Sequence, residues 1–275
     1  MQKPYFILPF DHRSTFAKAL LGFPYPVNEE QAGHVKEMKA VVFDAFLDAY
    51  DRNEHVKAHG AILVDLEFGK EIIERAKKRS IPFALSTEKS GKEVFEFEYG
   101  DHFGEVLARE VPTFAKALIR YDNRRKEDNS LQRSRLKNLS DFCQTHQIGL
   151  MIEPLMIGEG SRVDQITNCV REILSDGVTP TLWKLEGLDT ATEWEQVRAV
   201  TDIDIIVLGR GENRDAVEQW IDAGKASGIV DGFAIGRTIF MEALEALRDN
   251  KFTREEAVQA IAKNYLSFVS RWQQK

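Results

Sequence analysis

Short apolar runs recur along the whole chain, and amphipathic, charge-rich segments separate most of them. Runs of about four to eight apolar residues are typical of buried strands, whereas the segments between them have helical periodicity. Eight such runs occur, at 5–10, 60–65, 82–87, 114–121, 149–154, 182–187, 204–209 and 232–237. This alternation predicts a parallel sheet covered by helices.

The helical segments carry recognisable start signals. Asn213 is placed as an N-cap, and Thr253 with Glu256 forms a capping-box pattern. Helices are predicted at about 30–50, 69–80, 131–147, 213–227 and 252–274. Eight strand–helix units predict an α/β protein with a closed (β/α)8, or TIM, barrel. An open doubly wound sheet is the alternative, although no glycine-rich dinucleotide fingerprint follows the first run.

Length and composition narrow the class of protein. The 275 residues contain no linker or low-complexity tract, so one domain over residues 1–275 is expected. The net charge of -7 argues against a dedicated nucleic-acid partner but leaves room for a local anion pocket. No signal peptide or membrane span is predicted, so a cytoplasmic protein without a membrane partner is expected. Cys143 and Cys169 are interpreted as buried free thiols in a reducing setting.

Ionisable residues and glycines collect where the predicted strands end. Catalytic residues of a (β/α)8 barrel lie at the C-terminal ends of its strands, so these positions are candidates for a site. They are Asp11, His12 and Arg13 after the first strand, Glu88 and Lys89 after the third, Arg120 at the end of the fourth, Gly209, Arg210 and Gly211 after the seventh, and Gly236 and Arg237 after the eighth. For any one of these aspartates or arginines alone, a solvated strand end is the favoured interpretation.

Lys116, Glu153 and Lys184 differ from these because each lies inside an apolar run. Strand side chains alternate, so Lys184 and Glu186 share one face of the sixth strand. Burial beside other cations favours a neutral lysine amine, and a neutral amine attacks carbonyl carbon. The hypothesis is therefore a Schiff base on Lys184, as in class I aldol cleavage. A buried ion-pair network that only packs the barrel is the alternative.

Aldol cleavage also needs a carboxylate that takes the proton of the substrate hydroxyl. Glu153 is the first candidate, and Asp11 and Glu186 remain alternatives. Phosphate sites of such barrels often form after strands 7 and 8, where backbone N–H groups and a helix N-terminus meet. The Gly-Arg pairs there predict phosphate binding, with Arg237 as a bidentate donor.

Long motifs carry a resemblance that covers nearly the whole chain. They are "FDHRSTF", "EKSGKEVFEFEYGDHFG", "AKALIRYDN", "WKLEGLD", "VLGRG" and "GFAIGRTIF". They resemble the aldolase-like domain that follows the sugar kinase in fused 5-dehydro-2-deoxygluconokinases of inositol catabolism. The resemblance implies a TIM-barrel lyase that cleaves 2-deoxy-5-keto-gluconate 6-phosphate to dihydroxyacetone phosphate and malonate semialdehyde.

The chain is more distantly similar to class I tagatose 1,6-bisphosphate aldolases and sulfosugar-phosphate aldolases. This likeness implies Lys184 as the Schiff-base lysine, Lys116 as a second lysine of the site and Glu153 as the acid/base. Two departures bear on the substrate. Gly187-Leu188 stands where those enzymes have Val-Pro, and His12 stands where they often have glutamine. The chemistry is expected to carry over more readily than the sugar.

Three other classes of function remain open. A metal-dependent aldolase would need several histidine ligands, and only His12 of the six histidines is placed at a strand end, so neither a metal nor a cofactor is expected. A sugar-phosphate isomerase or epimerase would use the same phosphate corner without Lys184 as nucleophile. A non-catalytic protein would bind the phosphorylated sugar without turnover. A homo-oligomer is compatible with each.

Overall fold

A computed structural model describes Met1 and residues 3–274 of the chain. Eight strands form a closed barrel in sequential order β1 to β8, and the strand pairs run parallel. The strands are β1 Tyr5–Pro9, β2 Gly60–Val64, β3 Phe83–Ser86, β4 Phe114–Tyr121, β5 Gly149–Met156, β6 Leu182–Glu186, β7 Asp204–Leu208 and β8 Gly232–Ala234. The predicted (β/α)8 barrel is confirmed, and the open-sheet alternative is excluded.

Helices follow the strands as predicted, with ends that local capping explains. They are α1 Ser14–Leu21, α2 Glu29–Arg52, α3 Glu54–His59, α4 Leu66–Lys78, α5 Phe103–Glu110, α6 Lys126–His146, α7 Arg162–Ser175, α8 Ala191–Arg198, α9 Arg214–Ser227, α10 Arg237–Arg248 and α11 Arg254–Gln273. Helix α4 begins three residues before the predicted start because Asp65 accepts a hydrogen bond from the backbone N–H of Phe68. The predicted capping box of Thr253 and Glu256 starts α11.

The chain divides into two compact units. The first comprises Met1–Phe83, Gly209–Arg214 and Ala234–Lys275, and the second comprises Ala84–Leu208 and Asp215–Phe233. In the first unit α2 packs along α11. There the buried Tyr265 hydroxyl donates a 2.6 Å hydrogen bond to the carbonyl of Phe6, and this bond ties α11 to β1.

A fully buried ion pair lies inside the first unit. The ammonium of Lys39 on α2 pairs with Asp65, and neither side chain is more than 1% exposed. The rings of Phe16 and Phe68 have their centroids 5.5 and 5.4 Å from the ammonium nitrogen, which adds two cation–π contacts. Because Asp65 also caps α4, this pair connects α2 to the end of β2.

In the second unit the loop after β3 folds back on its own strand end. Glu88 and Phe97 form an antiparallel bridge, and Phe97 stacks on Phe103 with ring centroids 4.1 Å apart. Phe103 in turn meets Phe142 of α6 edge to face. This aromatic row fixes the loop against α6, so the position of Glu88 is set by packing as well as by the strand.

Tyr121, at the end of β4, is buried on the helix side of the same unit. Its hydroxyl donates to Glu172 of α7 and accepts a 2.7 Å hydrogen bond from Arg133 of α6. Burial works against ionisation of Glu172, but the hydrogen bonds from Tyr121 and Lys126 outweigh it and hold the pKa of Glu172 below its usual value. The network therefore joins α6 and α7 over β4.

The two cysteines are free and buried, as predicted. Burial raises the pKa of the Cys143 thiol to about 12, so this thiol stays protonated at neutral pH. Among the residues that the structure describes, none of the helices combines the length and apolar character needed to cross a membrane.

Replacement of Lys39 by Met should strongly destabilise the protein. The variant leaves the Asp65 carboxylate buried without its counter-ion, which costs about 3–5 kcal/mol in comparable pairs. Urea unfolding followed by circular dichroism measures the change in free energy of unfolding. The control is Lys36→Met, an exposed position on the same helix, where a change within about 0.5 kcal/mol is expected. Equal stability of the two variants would contradict the assigned role of the pair.

Replacement of Glu172 by Gln should lower stability in a pH-dependent way. Because folding lowers the pKa of Glu172 from its ordinary 4.5, its ionised form stabilises the fold above that pH. The loss, about 1 kcal/mol near pH 7, should shrink as the pH falls through the lowered pKa. Urea titrations at several pH values test this. Exposed Glu195→Gln serves as the control, and a pH-independent difference would refute the prediction.

Candidate active site

Strand β6 presents two charged side chains on one face and two apolar side chains on the other. Lys184 is 3% exposed and Glu186 is 1% exposed. On the opposite face the indole N–H of Trp183 donates to Thr201, in the loop that follows α8. Strand alternation therefore directs Lys184 and Glu186 to the inner face of the sheet, as the sequence predicts.

A single carboxylate joins the two buried lysines. Oε2 of Glu153 on β5 lies 2.8 Å from Nζ of Lys184 and 2.9 Å from Nζ of Lys116. The register between β4 and β5 pairs Leu118 with Glu153, so Glu153 shares the face on which Lys116 lies. Three neighbouring strands thus bring two lysines into direct contact with the one glutamate between them.

Glu88 is the second carboxylate of this cluster. Its Oε1 lies 2.6 Å from Nζ of Lys116, and its Oε2 accepts a 3.3 Å hydrogen bond from the backbone N–H of Leu118. Lys116 therefore forms ion pairs with both Glu88 and Glu153, whereas Lys184 pairs with Glu153. The hydroxyl of Ser86, which pairs with Lys116 in the register of β3 and β4, is buried on the same face.

The charges of the cluster balance. Two ammonium groups face two carboxylates, and this pairing offsets much of the cost of removing four charges from water. Oxygen and nitrogen distances below 3 Å leave a short path for a proton between Glu153 and either lysine. The arrangement can hold an amine, a proton acceptor and a fixed cation around one reacting carbonyl.

Arg162 extends this site beyond the residues that the sequence suggested. Its Nη1 donates a 2.7 Å hydrogen bond to the carbonyl of Gly187, and its Nε lies 3.9 Å from Oε2 of Glu186. The guanidinium lies 5.4 Å from the ring centroid of Trp220, whose indole N–H donates to Asp189. These contacts join positions distant in sequence, so no local pattern indicated them. The local sequence near Arg162 offers one structural signal, Ser161, which is the N-cap that starts α7.

Asp11, His12 and Arg13 follow β1 in the first unit. Asp11 and Arg13 are buried, and Nδ1 of His12 lies 4.0 Å from Oδ1 of Asp11. Arg13 is the N-cap residue of α1. The structure brings these three residues together at the end of β1, as the sequence predicts; their contribution to chemistry stays a prediction.

The glycine and arginine positions after β7 and β8 also meet within the first unit. Arg237, the first residue of α10, donates to the carbonyl of Arg210, and Gly209 accepts from the N–H of Glu212 in a tight turn. At Gly211, with φ of 83°, a Cβ atom would lie 2.4 Å from the guanidinium carbon of Arg237. At Gly236 a Cβ would lie 2.3 Å from the carbonyl oxygen of Pro9. The positive φ at Gly211 and the backbone contact at Gly236 therefore both favour glycine.

Two further predicted residues lie on and beside the loop after β3. The guanidinium of Arg120 donates a 2.7 Å hydrogen bond to the carbonyl of Lys92, and the backbone N–H of Lys89 donates to Glu96. Both therefore support the loop that carries Glu88. Across Met1 and residues 3–274, no group of three or more His, Cys, Asp or Glu side chains is arranged to hold a metal ion.

The fold and the cluster together define a (β/α)8 barrel protein with a buried Lys–Glu–Lys site on its inner sheet face. A family model matches residues 1–275, and the chain belongs to that family, DUF2090, described as an uncharacterized protein conserved in bacteria. No curated protein matches the chain.

Solved structures share the fold at low sequence identity. Cgl0159 from Corynebacterium glutamicum is 17% identical, with a TM-score of 0.61 over 96% of this chain and 85% of its own. A Schiff-base-forming fructose-1,6-bisphosphate aldolase is 12% identical, with a TM-score of 0.58 over 94% of this chain and 93% of its own. At these identities the likeness shows the barrel architecture.

Replacement of Gly187 by Ala should disturb the end of β6. The added Cβ would lie 2.1 Å from the Trp220 ring, which is itself held by Arg162 and Asp189. Overpacking of this kind costs about 1–3 kcal/mol, and thermal unfolding measures it. The control is Gly33→Ala in α2, where a Cβ meets nothing within 4 Å and helix propensity predicts a small gain. An unchanged melting temperature for Gly187→Ala would contradict the close packing.

Proposed function

We propose that the protein is a class I aldolase that cleaves a ketose phosphate through a Schiff base on Lys184. The observation that carries this proposal is the buried Lys184 ammonium nitrogen 2.8 Å from Glu153, on the inner face of a (β/α)8 barrel. The barrel's likeness to a Schiff-base-forming fructose-1,6-bisphosphate aldolase supports the reaction class. The motif resemblance supports 2-deoxy-5-keto-gluconate 6-phosphate as substrate, with tagatose-bisphosphate or sulfosugar-phosphate cleavage as the alternative.

The first half of the reaction forms the imine. The Lys184 amine, after passing its ammonium proton to Glu153, attacks the substrate ketone, and the nitrogen proton moves to the former carbonyl oxygen. Glu153 then protonates the carbinolamine hydroxyl, which leaves as water and yields the iminium ion. The 2.8 Å separation of Nζ and Oε2 suits both transfers.

The second half breaks the carbon–carbon bond. The ionised Glu153 takes the proton of the hydroxyl on the carbon beyond the bond, the bond electrons move into the iminium, and the aldehyde leaves. Glu153 returns a proton to the carbon of the resulting enamine, and water hydrolyses the iminium ion to dihydroxyacetone phosphate and the Lys184 ammonium. Lys116, fixed by Glu88, orients Glu153 throughout. Asp11 and Glu186 are the alternative acid/base groups.

The phosphate of the substrate is proposed to bind the glycine-rich turns after β7 and β8. Gly209, Arg210 and Gly211 form one turn, and Gly236 and Arg237 begin α10. A helix N-terminus with a guanidinium beside it is a general anion-binding arrangement. His12, Arg13, Lys89 and Arg120 are proposed to contact the substrate as well.

Borohydride reduction in the presence of dihydroxyacetone phosphate tests the nucleophile. The expected result is a covalent adduct that peptide mass mapping places on Lys184 and that Lys184→Met abolishes. Lys137→Met, at a half-buried surface position on α6, is the matched control and should label like the unaltered protein. A label on Lys116 would reverse the assignment of the two lysines. Absence of any label would refute the Schiff-base mechanism and favour binding without turnover or a packing role for the ion pairs.

Replacement of Glu153 by Gln tests the proton acceptor. Loss of a general acid/base lowers the rate by about 100- to 10,000-fold, so kcat for ketose-phosphate cleavage should fall within that range. A coupled assay for dihydroxyacetone phosphate measures it. Retention of the unaltered rate would transfer the role to Asp11 or Glu186, which the corresponding Asn and Gln variants would then identify.

A further inference from the structure

Arg162 is a charged residue of α7 whose side chain lies beside the end of β6, and the proposed chemistry does not use it. It opens α7, yet its guanidinium reaches the strand end that follows Lys184, where it donates to the carbonyl of Gly187. Glu186 lies between Lys184 and Gly187 in sequence, and it is separated from Lys184 by two positions, a distance of about 7 Å along a strand. Arg162 therefore stands beside the nucleophile's strand at short range, within the same compact unit.

The guanidinium is held in one orientation. Trp220 lies 5.4 Å from it, and Asp189 fixes the indole of Trp220 through a 2.9 Å hydrogen bond. Gly187 has no room for a side chain, so the Trp220 ring packs directly against the backbone there. A planar fork that is already ordered loses little entropy on binding a ligand.

Part of this fork remains available to a ligand. Nη1 donates to the carbonyl of Gly187, and Nε lies 3.9 Å from Glu186, which is longer than any of the ion pairs of Lys116 and Lys184 given above. Nη2 makes no hydrogen bond to any residue that the structure describes, and the side chain is 38% exposed. Lys116 and Lys184, in contrast, are almost wholly buried in short ion pairs. Arg162, which lies beside the cluster, thus has donors open to solvent, whereas the two lysines do not.

We infer that Arg162 binds an acidic group on the aldehyde half of the substrate and so selects ketose phosphates that carry a second anion. The inference rests on the proposed aldolase function. A guanidinium with free N–H donors pairs preferentially with carboxylate or phosphate oxygens. The phosphate of the dihydroxyacetone half is proposed to bind the turns after β7 and β8, so the donors of Arg162 are left for a second anion of the substrate. It is a specificity residue and takes no part in proton transfer.

The test is aldol addition with a fixed donor and varied acceptors. Dihydroxyacetone phosphate is combined with malonate semialdehyde, glyceraldehyde 3-phosphate or neutral glyceraldehyde, and kcat/KM is measured for each. Arg162→Met should lower kcat/KM for the preferred anionic acceptor about 10- to 100-fold and change the neutral acceptor less than about 3-fold. Arg162→Lys should recover part of the loss because it retains the charge. Comparison of malonate semialdehyde, which carries a carboxylate, with glyceraldehyde 3-phosphate shows which anion Arg162 binds.

Controls separate this inference from the proposed function. Arg171→Met, at an exposed position on the same helix, should leave every acceptor unchanged. Borohydride labelling with dihydroxyacetone phosphate should be normal in Arg162→Met. Normal labelling with an equal loss for all acceptors, or with no loss for the anionic ones, would overturn the role of Arg162 alone. Failure to label the unaltered protein would overturn the aldolase proposal itself.

Discussion

The site depends on one carboxylate oxygen shared by two buried ammonium groups. Oε2 of Glu153 lies within 3 Å of the ammonium nitrogens of both Lys116 and Lys184. Buried charge is tolerated only when it is paired, so each member of this trio constrains the positions of the others. The register of β4, β5 and β6 must therefore stay fixed, because a shift of one residue would turn these side chains to the helix-facing side.

The surrounding unit supports the trio from both ends. On one side, the loop after β3 returns as an antiparallel bridge and places Glu88 against Lys116. The aromatic row from Phe97 to α6 fixes that loop without adding charge. On the other side, Arg162 and Trp220 pack around Gly187, the residue that follows β6. The spacing of the four charged groups is thus fixed by packing and backbone contacts outside the cluster itself.

The fold by itself does not indicate a particular activity, whereas the charged cluster bears directly on chemistry. The barrel matches structures that are 12% and 17% identical, and this architecture hosts many unrelated activities. Within this common architecture, the lysine, its shared carboxylate and their burial are the features that bear on chemistry. The same barrel also contains a second buried ion pair, between Lys39 and Asp65, that caps a helix and is surrounded by aromatic rings. Burial of a lysine alone is thus insufficient to mark a nucleophile; Lys184 differs from Lys39 in its inward direction and in sharing its carboxylate with a second lysine.

The amino-acid sequence alone determined the barrel, the inward face of Lys184 and Glu186 and the capping box before α11, because these follow from local periodicity and short-range hydrogen bonds. It also indicated Lys116 and Glu153 as candidate site residues, because each is a charged residue within an apolar run. The tertiary structure decided that Glu153 joins both lysines, that Glu88 holds Lys116, and that Arg162 reaches Gly187. Those contacts connect residues on separate strands and loops, and their distances depend on strand register and loop packing. No local pattern encodes these distances.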